Sequence, residues 1–352
     1  MSAPFSTISF IFEAILLSAL LAAVVAWFSI RLALRVGLLD VPDSAPHKKH
    51  TEPTPLAGGM AFFAALLISA WVSSTIADPA VRATLLAGLI VFLFGLWDDF
   101  RGISPLLKFI GQTAAVILLI VLGVRIQVFE SPEFFFSGDG PFYVSLDILL
   151  TWLWVVGITN AFNFVDSTDG LAVGLTGVAA AFFMLVTLES GQLELSYQSA
   201  IILGVCIGLF YFNSPPAQLF LGDSGAQSMG FILAALAIAY QPQGANQSSS
   251  WVVPVLLLAV PIFDMALVVF SRLRRRRPVY TAARDHTYHR LLALGMNTNR
   301  AGVFMQTLTL LLGCLAFVLL TRPPLVANTV FIGVILLGVL AVLYLDNHKR
   351  WP

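Results

Sequence analysis

Charge is what this sequence has least of. Asp, Glu, Lys and Arg make up 11% of its 352 residues, against 58% hydrophobic ones and a mean hydropathy of +0.89. A soluble domain needs a charged skin that this chain cannot supply, so lipid must be part of its solvent. Cysteine is nearly absent too. The two present, Cys206 and Cys314, sit inside apolar runs where a thiol behaves as a small hydrophobe, which leaves no disulfide framework and no thiolate zinc site. No repeat, low-complexity tract or soluble domain interrupts the chain, so residues 1–352 read as one membrane domain. The formal net charge of +0 says nothing by itself, and no nucleic-acid partner is expected.

What is present is apolar sequence in long runs. Spanning about 30 Å of hydrocarbon takes roughly 20 apolar residues per helix. Eleven runs of about that length lie near 8–33, 58–77, 81–97, 105–125, 144–162, 170–188, 195–212, 226–241, 251–271, 301–321 and 325–345. The expected fold class is an all-α integral membrane protein of eleven transmembrane helices. The first run has Glu13 but no Lys or Arg ahead of it, and Arg31 and Arg35 follow it. That is the reverse of a secretory signal peptide and predicts a retained helix with its N-terminus outside. The loops at 34–57, 98–104, 163–169, 213–225 and 272–300, and the C-terminal tail, then face the cytoplasm. With helix ends counted, every Lys and Arg except Arg82, Arg125 and Arg322 falls inside, as the positive-inside rule requires. The outer segment 126–143 mixes turn formers with some alternation, and a short hairpin is expected there.

The inner loops carry the chemistry. Asp98 and Asp99 stand in FGLWDDFRG, Asp166 and Asp169 in NAFNFVDSTDG, and Asp223 in FLGDSGAQ. A lone acid at a helix boundary is ordinarily a cap or a solvated end. Five on one face repel each other and call for a cation. Oxygen donors without His or Cys at ligand spacing favour Mg²⁺ or Mn²⁺ over zinc. Asn163, Asp166 and Asp169 recur every three residues, near one helical face. Glycines beside these acids permit close backbone approach to a phosphate, although for Gly95 helix packing is an equal reading.

The last inner loop, SRLRRRRPVYTAARDHTYHRLLALG, is basic. Arg274 to Arg277 read chiefly as topology markers that touch lipid heads. His286, His289 and Arg290 differ, because their i, i+3, i+4 spacing gathers anion donors on one side of a turn. In the first inner loop Lys48, Lys49 and His50 either attract phosphates or only mark the inside. An ion-coupled transporter is the rival reading of these acids. Asp264, inside an apolar run after Pro261, keeps it alive, although the other acids lie at helix ends and not at the membrane midplane.

In this order the segments resemble the polyprenyl-phosphate N-acetylhexosamine-1-phosphate transferases, glycosyltransferase family 4, from about residue 36 to 295. The paired-Asp motif with a downstream Lys matches Asp98, Asp99 and Lys108. Asn-x-x-Asp-x-x-Asp-Gly matches Asn163, Asp166, Asp169 and Gly170, and Gly-Asp-x-Gly matches Gly222, Asp223 and Gly225. The His-x-His-His-Arg run appears as HTYHR, with Tyr288 at the middle histidine. The phospho-MurNAc-pentapeptide branch has a triple-histidine run that this chain lacks, which turns the expectation toward a UDP-GlcNAc donor.

The resemblance implies eleven helices in the cell membrane with the active site on the cytoplasmic side, and leaves a homodimer open. It implies Mg²⁺, with Mn²⁺ as the alternative, held by Asn163 and Asp223. Asp98, Asp99, Asp166 and Asp169 would be the catalytic carboxylates, and Lys108, Gly170, His286, His289 and Arg290 the substrate-binding groups. Polyprenyl phosphate would attack the sugar-proximal phosphorus of a UDP-N-acetylhexosamine and release UMP, with Asp98 the candidate base.

Overall fold

The structure is a computed structural model that describes residues 3–41, 53–131, 136–242, 250–279 and 285–346. Lys48, Lys49 and His50 lie outside the described residues. Helix dominates because a backbone in hydrocarbon must bond to itself. The helices are α1 (Ala3–Val36), α2 (Gly58–Val72), α3 (Pro79–Arg101), α4 (Pro105–Val121), α5 (Pro141–Val165), α6 (Leu171–Glu189) and α7 (Leu193–Asn213). They continue as α8 (Gly222–Ala239), α9 (Val252–Leu257), α10 (Ala259–Arg274), α11 (Thr287–Ala293), α12 (Thr298–Leu319) and α13 (Pro324–Asp346). A two-residue bridge, β1 (Leu39–Asp40) with β2 (Thr54–Pro55), is the sheet structure among the described residues.

Local chemistry starts these helices where it should. Asp78 caps α3 by accepting from the amides of Ala80 and Val81, with Pro79 in the first turn; Ser104 and Pro105 do the same for α4. Such pairs occupy orphan amides and preset the first turn. Each expected apolar run falls on helix, and seven helices among the described residues are long and apolar enough to cross a membrane. The protein is a multi-pass membrane protein.

The other runs differ in detail. At 15 residues α2 reaches roughly 22 Å at about 1.5 Å per residue, short of the hydrocarbon thickness. The run expected at 251–271 is broken at Leu258 into α9 and α10, because Pro261 has no amide proton for the Leu257 carbonyl one turn back. The hairpin expected at 126–143 is absent among its described residues. Its described residues ahead of α5 are turns and irregular chain, and Asp147 on α5 accepts from the amides of Val128, Phe129 and Glu130 at 2.9, 3.0 and 3.1 Å.

Helix α8 is the axis of the bundle. Every residue from Ser224 to Ile238 is buried, and α2, α3 and α5 pack around it. Small residues allow this in lipid, where contact and not hydrophobicity drives association. A Cβ on Gly95 would sit 2.5 Å from the Ser224 Cα, and one on Gly59 would sit 2.1 Å from the Ser224 Oγ. Gly95 is therefore a packing glycine. Helix α13 lies at the periphery, with Leu336 and Leu337 turned outward.

A candidate active site at the loop end of the bundle

The C-terminal end of α3 and the N-terminal ends of α4 and α8 converge on the acids. Asp98 accepts from the Ile103 amide through Oδ1 at 2.7 Å, and its Oδ2 lies 2.7 Å from Lys108 Nζ. The same ammonium is 2.5 Å from Asp223 Oδ2, so Lys108 bridges two carboxylates that would otherwise repel. Asp99 is engaged differently. It accepts from the Asp223 amide at 2.7 Å, and from the amide and hydroxyl of Ser224 at 3.1 and 2.5 Å. The cap residue of α8, Leu221, offers no side-chain acceptor, and Asp99 supplies one from α3, favoured by the helix dipole. Asp99 thereby holds Asp223 in place.

Behind Asp223 runs an amide chain that no motif announced. Gln227 donates to Asp223 Oδ2 at 2.8 Å, Gln112 donates to Gln227 at 2.9 Å, and Asn160 donates to Gln112 at 2.8 Å. Asn163 donates to the same Asp223 oxygen at 3.4 Å. Gln112 and Gln227 are buried. Polar side chains inside otherwise apolar runs were the available signal, since such residues are kept in membrane helices for a reason.

The three-residue repeat straddles a helix end. Asn163 ends α5, Asp166 is its C-cap residue, and Asp169 accepts from the Ala217 amide at 3.3 Å in the turn before α6. Burial, then the charges of Asp223, Asp169 and Asp99, push the Asp166 carboxyl up to about 8. Gly170 starts α6 at φ 73°, its amide donating to Asn213 Oδ1 at 3.1 Å.

A cation suits this centre. Ligand oxygens of Asp98, Asp99 and Asp223 all lie within 4.8 Å of one another, hard donors of the kind Mg²⁺ and Mn²⁺ take. Lys108 alone does not balance three carboxylates, and their charge adds to the burial that raises the Asp166 carboxyl.

The basic segment is pinned from two helices. On α10, Arg272 donates from Nε and Nη2 to Asp285 at 2.8 and 2.7 Å, which holds the Asp285 carboxyl, despite burial, below the usual carboxylate range. Asp264 lies 3.0 Å from His286 Nδ1 and accepts from the Thr287 amide at 2.5 Å. The acid that kept a transporter reading alive thus serves the histidine segment. The His286 ring meets Phe164 near the end of α5 edge to face at 5.6 Å, and the His289 ring is 6.2 Å from it. Arg290 faces the other way. It is 2% exposed, and its Nη1 donates to Leu345 O at 3.2 Å and to Asp346 at 3.3 Å. Arg274 and Arg275 also pair with Asp346, at 2.7 and 2.5 Å, so part of the expected lipid-facing run is tied to α13.

Fold and site together define a multi-pass membrane protein with a cation-type acidic centre and a histidine helix at one end. A family model described as Glycosyl transferase family 4 matches residues 81–241. The chain is 33% identical over 330 residues to the decaprenyl-phosphate N-acetylglucosaminephosphotransferase of Mycolicibacterium smegmatis, covering 85% of this chain and 79% of the relative. It is 28% identical over 327 residues to the probable undecaprenyl-phosphate N-acetylglucosaminyl 1-phosphate transferase of Bacillus subtilis, covering 92% and 89%. With the undecaprenyl-phosphate alpha-N-acetylglucosaminyl 1-phosphate transferase of Escherichia coli K12 it shares 27% over 293 residues, covering 81% and 77%. The chain belongs to glycosyl transferase family 4.

Proposed function

We propose that this protein transfers N-acetylglucosamine-1-phosphate from UDP-N-acetylglucosamine to a polyprenyl phosphate, releasing UMP, at the cytoplasmic face of the cell membrane. The observation that carries the reading is the convergence of Asp98, Asp99, Asp223 and Lys108 from three helices at the end of the bundle where His286 and His289 also lie. The names of the relatives support the sugar and the lipid. All eleven apolar runs cross in this reading, as a single domain over 1–352. The N-terminus is outside and the C-terminus inside, which puts the basic end of α10 and the basic residues Lys349 and Arg350 in the cytoplasm.

In the reaction an oxygen of the lipid phosphate attacks the sugar-bearing phosphorus of the donor, and the phosphorus–oxygen bond to UMP breaks. A phosphate monoester is largely dianionic at neutral pH, so the protein's task is positioning and charge compensation more than proton removal. Asp223 and Asn163, with Asp98, would hold Mg²⁺ or Mn²⁺, which when bound offsets charge on the diphosphate. Lys108 exchanges a carboxylate partner for a phosphate oxygen when substrate enters. Asp98 orients the incoming lipid phosphate, Asp166 and Asp169 shape the α5–α6 turn around the sugar phosphate, His289 donates to a diphosphate oxygen, and His286 lines the donor pocket. Arg290 and Gly170 support this surface from behind.

Purified protein in detergent, given undecaprenyl phosphate and UDP-N-acetylglucosamine, should form labelled lipid and UMP in equal amounts with Mg²⁺ and none with EDTA. Product from another UDP-N-acetylhexosamine alone would correct the donor. No product from any UDP-sugar would overturn the reading.

A further inference from the structure

Asp264 stands apart from the motifs that mark the acidic centre. It is fully buried on α10, where an unpaired carboxylate is costly, yet it contacts neither Lys108 nor the acids. Its two oxygens are divided. Oδ1 accepts from the Thr287 amide, the first of α11, and Oδ2 meets His286 Nδ1. Arg272, eight residues later on the same helix, takes Asp285 with a two-pronged contact. Eight residues are about 12 Å of rise, little more than two turns, so both side chains leave one face of α10. Residues 285, 286 and 287 are thus gripped in succession. On its open side the His286 ring is bounded by Phe164 and followed by His289.

From this geometry we infer that Asp264 is a positioning residue. It keeps the His286 proton on Nδ1 and turns the Nε2 lone pair, an acceptor, toward a hydroxyl or amide N–H of the UDP-sugar, besides capping α11. A ring nitrogen's partner decides which tautomer the imidazole adopts and where its other nitrogen points. The other neutral tautomer would set a bare Nδ1 against Asp264 and leave its buried Oδ2 without a donor. The inference rests on the proposed reaction, in which His286 lines the pocket of the UDP-sugar.

A double-mutant cycle tests it. Asp264→Asn should raise the KM for UDP-N-acetylglucosamine and lower kcat/KM about 10- to 100-fold, the usual range for a partner that orients a ligating histidine. His286→Ala should cost about as much, and the double variant should be no worse than His286→Ala alone. Equal, additive losses from Asp264→Asn in both backgrounds would reduce Asp264 to a cap of α11 and overturn the inference. Selective ¹⁵N-histidine labelling of the wild-type protein gives a second readout that does not need the variant to fold. The His286 resonances, identified by their loss in His286→Gln, should report a protonated Nδ1. A neutral ring protonated on Nε2 would equally overturn the inference. A wild-type protein inactive with every UDP-sugar would instead strike at the reaction, and the ¹⁵N result would still judge Asp264.

Discussion

The two halves of the site are neutralised in opposite ways. In the acidic half the ion pairs are partly open to solvent, side chains of Lys108, Asp98 and Asp223 being 25%, 15% and 24% exposed, and one ammonium serves two carboxylates. In the basic half the counter-charges are sealed. The carboxylates Asp264 and Asp346 are buried, and Arg272 and Arg290 are 3% and 2% exposed, while Arg274 and Arg275 reach Asp346 from the surface at 50% and 21% exposed. An exposed, under-neutralised cluster can exchange partners with an incoming cation or phosphate at little desolvation cost. A buried, fully paired one resists exchange, because losing one partner strands a charge. The acidic half is arranged for chemistry, and the basic half holds two histidines rigidly in front of it.

That contrast breaks hardest at Asp223. Asp223→Ala should lower transfer by about 10³-fold or more, the scale of losing a principal electrostatic group, and weaken Mn²⁺ binding measured by titration of the metal-free protein; retained Mn²⁺ affinity would move the cation elsewhere. Next comes Asp99→Asn, which keeps one acceptor of the α8 cap. It should lower activity by about 10²-fold and destabilise the fold by about 1–2 kcal/mol, the value of a helix cap, both read from labelled-lipid assays and thermal melts. Activity lost with no change in melting would make Asp99 a direct participant.

In the basic half the ranking should invert. Asp346→Asn breaks a sealed arginine knot and should cost about 3–5 kcal/mol of stability. The protein that remains folded should retain activity within about tenfold. The smallest effect concerns pH. Asp166 is raised from 3.8 to about 8 in the fold, so folding favours its protonated form and this contribution is lost as pH rises from about 4 to about 8. Metal-free protein should therefore melt at progressively lower temperature across that window, and Asp166→Asn should flatten the dependence; an unchanged slope would place the excess charge on another acid.

Much of the architecture was legible because lipid imposes a simple rule. A segment must be apolar, about 20 residues long and helical, and runs such as 301–321 and 325–345 appear as α12 and α13. The rule fails where a local feature intervenes. Pro261 splits the run at 251–271, and the turn at 126–131 is gathered by Asp147, a residue in the next helix. The site was legible as residue types and not as jobs. Asp98 and Asp99 are neighbours, yet successive helical positions point about 100° apart, so one meets Lys108 and the other caps α8. Arg290, read beside His286 and His289 as an anion donor, faces α13 because its partner Asp346 lies 56 residues away.

By itself the sequence determined the membrane class, the helical runs, the gathering of most Lys and Arg into a few loops and the identity of the acids and histidines. These follow from solvent and composition, which act on each segment locally. Only the tertiary structure decided which acid pairs with Lys108, which one caps α8, that Gln112, Asn160 and Gln227 stand behind Asp223, and that Asp264 faces His286. Those contacts join helices far apart in the chain, and their directions depend on how each helix is rotated in the bundle, which hydropathy does not encode.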